Sequence, residues 1–222
     1  FEESDEFLYN SNAYASREYS PHRLVEITED GFMRGRRVII VEVNALQYNP
    51  TTNSLKTHNR ISFQINYSGS PSTAALNERV RLASPFLDQL YSGVILNYQT
   101  VNPTSQGSYE DGCDYLVIAH PDDLHALEPL VEWKRRKGFI TKVVTTTSGL
   151  VEDVTAILEA EYHKTPAPAY VLFAGDLGKI KAHSKEYGSG IDSWEYWSDY
   201  DYTLMDGSGD SFPDFNLGRM LV

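Results

Sequence analysis

Three short apolar runs constrain this chain more than anything else in it. Residues 116–119, 143–144 and 170–174 are continuously apolar rather than alternating. A strand with one wet face alternates, so a continuous run needs cover on both faces, as in a parallel sheet flanked by helices. Helix-length amphipathic segments separate the runs. The order is therefore strand, helix, strand, helix, strand, and right-handed crossovers place the helices on the sheet faces. Residues 111–222 are expected to form an α/β subdomain with a parallel, Rossmann-like sheet.

The punctuation agrees. His120-Pro121-Asp122-Asp123 opens the first helix with an early proline and with acids at the positive end of the helix dipole, and Lys134-Arg135-Arg136-Lys137 closes it before Gly138. That basic run could hold phosphate, but a solvated helix end is the plainer reading. Pro129 falls inside and either starts a second helical piece or kinks the first. A second helix is expected over 149–164, with Val151, Val154, Leu158 and Tyr162 on one face and Pro166 and Pro168 beyond its end.

Residues 1–110 read as a β-rich, sandwich-like domain. Residues 37–48 alternate with largely apolar faces, 49–53 supply turn chemistry, and 55–67 return with Ile61, Phe63, Ile65 and Tyr67 on one side, a long hairpin. Asp30-Gly31 is a turn signal, and Ser84-Pro85 starts a short helix ending at Gly93. The polar, turn-rich stretch 102–112 has the composition of a linker at a domain boundary.

Past Gly175-Asp176 the chain becomes acidic. Eight acids fall between Glu186 and Asp214, and no lysine or arginine lies between Lys185 and Arg219. A long loop with a strand at 200–205 is expected there, followed by a strand from Phe215. Within it Asp206, Ser208, Asp210 and Asp214 place oxygens at the first, third, fifth and ninth positions of a glycine-containing loop, as at the start of a calcium loop. Leu217 occupies the twelfth position, where an EF-hand needs glutamate, so the expectation is a calcium site of another kind. A solvated turn is the alternative. The net charge of −12 disfavours nucleic acid and anionic membrane as partners. No apolar run is long enough to span a membrane, and the first residues lack the features of a signal peptide, so any export signal is expected upstream. The single cysteine, Cys113, leaves no intrachain disulfide.

Asp114-Tyr-Leu-Val-Ile-Ala-His-Pro, Trp133-Lys-Arg-Arg-Lys-Gly-Phe, Pro168-Ala-Tyr-Val-Leu-Phe-Ala-Gly-Asp176, Ser198-Asp199-Tyr200, and Asp206 through Pro213-Asp214-Phe-Asn-Leu-Gly-Arg219 follow in that order. Together they resemble the start of the catalytic domain of gingipain-type cysteine peptidases, and residues 34–55, with their Gln-Tyr-Asn-Pro turn, resemble the propeptide region before it. The resemblance implies a propeptide-like domain over 1–110 and the first part of a caspase-like catalytic domain over 111–222. It also implies a secreted or cell-surface bacterial endopeptidase, often exported by the type IX route and so a client of secretion machinery. Gingipain-like catalytic domains bind calcium, which adds to the expectation at Asp206, Ser208, Asp210 and Asp214.

Such a peptidase needs a thiolate nucleophile and a histidine base beyond the ends of neighbouring strands. In the family both follow the Gly-Arg strand, after Val222, so no catalytic residue is assigned here and the remaining half of the catalytic domain is an expected partner. Cys113 precedes the first strand and reads as a packed or idle thiol; His120 ends that strand and reads as a helix-opening residue. Two alternatives stand beside the peptidase reading: a non-catalytic export or surface module of the same fold, and a small-ligand-binding α/β domain using the crevice at the strand ends. A nucleotide is disfavoured, because no Gly-x-Gly-x-x-Gly or Walker sequence follows any strand.

Overall fold

The computed structural model describes residues 10–98, 111–188, 194–207 and 209–221. Helix α1 (Ser11–Tyr14) is capped by the Asn10 side chain, which accepts from the Asn12 and Ala13 N–H groups. Strands β1 (Val25–Met33) and β2 (Arg36–Val43) pair, and β3 (Leu46–Asn49) and β4 (Ser54–Thr57) form an antiparallel hairpin around the expected turn, with Asn53 at φ 49°.

The sandwich expected over residues 1–110 is not what the described residues build. They form two-stranded sheets, the return limb of the long hairpin ends at Thr57, and α2 (Thr73–Arg81) and α3 (Pro85–Val94) follow. The alternation in 61–67 finds no second sheet, and Phe63 and Tyr67 stay exposed. Helix α2, missed from sequence, carries a Ser72 cap accepting from Ala75 N–H and basic residues in its last turn. The Asp30-Gly31 turn is also displaced: the chain reverses at Arg34-Gly35, both at positive φ. Gly31 stays in β1, where a Cβ would lie 2.8 Å from the Phe212 ring, so its smallness serves close approach rather than turning.

The chain divides into two compact units, Phe1–Asp30 with Val38–Gly69 and Gly31–Arg37 with Ser70–Val222. The second contains the predicted alternation: β5 (Tyr115–Ala119), α4 (Leu124–Arg136), β6 (Thr141–Thr145), α5 (Val151–Tyr162), β7 (Tyr170–Ala174) and finally β10 (Asn216–Met220). These four strands form a parallel sheet in the order β10-β7-β5-β6. Central β5 is buried along its whole length, as its unbroken apolar run requires. One face packs Leu116, Ile118, Val171 and Phe173 against Val154, Leu158 and Tyr162 of α5; the other packs Val117 and Ala119 against Leu127 and Val131 of α4. Each fully buried aliphatic side chain stabilises the fold by roughly 1.5–3 kcal/mol. Pro129 lies within a single helix, α4.

Between β7 and β10, the loop contains an antiparallel hairpin of β8 (His183–Tyr187) and β9 (Trp194–Ser198). The strand expected at 200–205 is instead a 3-10 turn over Tyr200–Thr203, with Tyr202 buried edge-on against Phe173. No helix among the described residues is long and apolar enough to cross a membrane.

Candidate functional site

With β5 and β7 adjacent and their crossovers leaving to opposite faces, the sheet order changes direction between these two strands. Ligand crevices of open α/β sheets form at that point, outside the carboxyl ends of the strands. Here those ends deliver Ala119-His120 and Ala174-Gly175-Asp176. His120 caps the 3-10 turn that follows β5, its Nδ1 accepting from Asp122 N–H at 3.3 Å, so the expected helix-opening role is the one its geometry fits. Asp176 Oδ1 accepts from the Gly178 and Lys179 N–H groups, which turns the chain back across the sheet edge.

Two charge pairs line this edge. Lys179 Nζ meets the buried Asp123 at 2.5 Å, and Arg219 forms a two-pronged pair with Asp199 at 2.7 and 2.8 Å. The same guanidinium donates to the Gly175 and Ile180 carbonyls, so the end of β10 locks the loop that follows β7. The loops after β6 and β7 meet at Gly149, where a Cβ would stand 1.7 Å from the Lys179 carbonyl oxygen and φ is +54°; only glycine fits. Sequence reasoning missed both pairs, because their partners lie 56 and 20 residues apart.

Cys113 lies at the opposite edge. It is fully buried, just before the amino end of β5, with its N–H donating to the Pro166 carbonyl. Burial, reinforced by the charge of Glu161, pushes its thiol up to about 12. A thiol held protonated and covered is no nucleophile.

Asp206, Asp210 and Asp214 come together, each offering an oxygen within 4.8 Å of the others; Ser208 lies outside the described residues. The three differ in kind. Asp214 is fully buried, and its carboxylate accepts from Arg34 N–H (2.6 Å), the Tyr162 hydroxyl (2.9 Å) and Met205 N–H (2.9 Å). Burial raises its pKa while those backbone donors lower it. Asp210 accepts from Asp206 N–H and Phe212 N–H, closing the loop on itself. Asp206 is exposed at the rim, and partial burial followed by the charges of Asp214 and Asp210 raises it to about 6. The crowding fits a hard cation, although three carboxylate oxygens are fewer than the six to eight that calcium takes, so carbonyls or water would complete the shell. The acidic stretch is less unbalanced than its sequence suggests: Lys185 pairs with Asp201 at 2.7 Å and Arg219 with Asp199.

Comparison with known proteins is consistent along the chain. Residues 2–102 match the family model for the C25 propeptide and residues 108–222 that for peptidase family C25. Lys-gingipain of Porphyromonas gingivalis is 27% identical over 222 residues, covering 96% of this chain and 12% of that protein. Gingipain R1 of the same species is 23% identical over 182 residues, covering 79% of this chain and 18% of that protein. The chain thus spans a small part of the relatives it matches. Among solved structures, the Arg-specific cysteine proteinase gingipain R aligns with a TM-score of 0.41 at 22% identity, over 52% of this chain and 26% of that one. With one half matched by the propeptide model and the other by the peptidase model, the chain belongs to peptidase family C25, the gingipain-type cysteine peptidases, and comprises a propeptide and part of a catalytic domain.

Proposed function

We propose that residues 1–110 are the pro-region and residues 111–222 the opening part of a caspase-like catalytic domain, in a secreted or surface cysteine endopeptidase acting on protein substrates. The observation that carries this reading is the polarity of the sheet. Its carboxyl edge, where such chemistry is done, presents His120, Asp123–Lys179 and Asp199–Arg219, whereas the only thiol is sealed at the amino edge. A Cys/His dyad would therefore come from strand ends that follow β10, beside the Arg219–Asp199 pair. The loop carboxylates Asp206, Asp210 and Asp214 would hold calcium, which would supply the countercharge they lack.

The test is peptidase assay of this chain and of the chain extended through the strands after β10. The extended form is expected to cleave peptides in a thiol-dependent way, and this chain to cleave none. Activity in residues 1–222 that is lost in Cys113→Ala would overturn the assignment.

A further inference from the structure

The hairpin of β8 and β9 leaves one face of its two-stranded sheet uncovered. Opposed residues of an antiparallel pair share a face, so the register sorts the side chains into two sets. On one face His183, Lys185 and Ser198 are half-buried at the root: the His183 ring lies 4.4 Å from the Tyr202 ring, centre to centre, and Lys185 pairs with Asp201. Ser184, Glu186, Glu195 and Trp197 occupy the other face, and all four are exposed, with Trp197 58% open to solvent. An indole left on the free face of a small sheet is the kind of surface that a partner covers.

The same face specifies the charge of what covers it. Glu186 and Glu195 are directly opposed, and like charges so placed repel. Ser184 donates a hydrogen bond to Glu195, but no base offsets either carboxylate among the described residues. Lys185, the one lysine or arginine on the two strands, is on the opposite face and taken by Asp201, and Arg219 is taken by Asp199. Trp197 stands diagonally across from Glu186, a spacing of roughly 7–8 Å in an antiparallel pair. One guanidinium or ammonium group can therefore meet both carboxylates and lie against the indole at once. The platform is fixed at its root: Arg219 holds Asp199 just after β9 and the Ile180 carbonyl before β8, and the Tyr202 hydroxyl donates to the Lys181 carbonyl. Little ordering of the hairpin root is left for binding to impose.

We propose that the Trp197 face of this hairpin is a docking site for a cationic segment of a protein partner, an arginine or lysine side chain lying over the indole beside the Glu186–Glu195 pair. Because Arg219 ties the hairpin root to the end of β10, a docked protein is held next to the carboxyl edge of the parallel sheet. The binding uses only residues of this chain and does not rest on the peptidase reading above.

The experiment titrates the full chain into a short dye-labelled peptide carrying two arginines, and into the same peptide with glutamates in their place, and reads fluorescence anisotropy at low and at high salt. The arginine peptide is expected to bind at low salt and to weaken as salt is added, and the glutamate peptide not to bind. Trp197→Ala should weaken binding by about 5-fold. Glu186→Gln combined with Glu195→Gln should weaken it by about 10-fold at low salt. All three side chains are exposed, so both variants should keep the wild-type melting curve. Glu128→Gln with Glu132→Gln, which removes the same charge from the exposed side of α4, should leave binding unchanged. An equal loss in that control would show attraction to the net charge of −12 rather than to the hairpin, and would overturn the proposal. So would binding of the glutamate peptide, or no binding of the arginine peptide at low salt. Self-association in sedimentation velocity that disappears in Trp197→Ala would make a second copy of the chain the occupant and overturn it as well. Each of these failures leaves the family assignment and the peptidase assay untouched.

Discussion

Asp206→Asn is expected to stabilise the cation-free protein, and only above mildly acidic pH. Burial and the charges of Asp214 and Asp210 raise the folded pKa of Asp206 from 3.8 to about 6. The folded chain therefore holds this proton more tightly than the unfolded chain. The stability that goes with it is complete below pH 3.8 and is lost as pH rises through about 6. Two pH decades correspond to roughly 3 kcal/mol at most, and because Asp206 is exposed, solvent screening reduces this to about 1 kcal/mol. For a domain of this size that is ~2–4 °C in Tm. Thermal melts of wild type and Asp206→Asn with a chelator present should differ by this amount at pH 7.5 and converge as pH falls towards 4. Added calcium should raise the wild-type Tm more than that of the variant, because the asparagine removes a charged oxygen from the cluster. Superimposable curves at pH 7.5, or a variant less stable there, would refute the idea that uncompensated carboxylates crowd this loop.

The same loop predicts an opposite result one residue type away: Asp214→Ala strips the acceptor from Arg34 N–H, the Tyr162 hydroxyl and Met205 N–H, and after relief of burial should cost ~3 kcal/mol, read as a Tm lower by about 6–12 °C. Gly149→Ala forces a methyl into the Lys179 carbonyl at positive φ and should cost ~2 kcal/mol or more in chemical denaturation, with Gly138→Ala, positive in φ but open around its Cβ, as the milder control. Cys113, covered and protonated, should not react with a soluble thiol reagent at pH 8 until denaturant is added; fast labelling of the native protein would show that its burial is wrong.

What the sequence determined by itself is the α/β core. Continuous apolar runs can be satisfied only with cover on both faces, so strands at 115–119, 141–145 and 170–174 and helices between them follow from local pattern plus burial. The glycines between the acids of 206–214 pointed to a loop rather than a regular element, and Asp206, Asp210 and Asp214 lie close together in it. Tertiary structure decided the rest. Whether 61–67 pairs depends on a partner strand that the described residues do not offer it, and whether Gly31 turns or stays straight depends on Phe212, far along the chain. Nothing in the local sequence around Gly35 singles out Arg34, yet it is buried because carbonyls from residues 82, 167, 168 and 214 converge on it. Periodicity reports which face of an element is apolar; it carries no information on which distant backbone groups will meet a given side chain, and that geometry exists only once the chain has closed on itself.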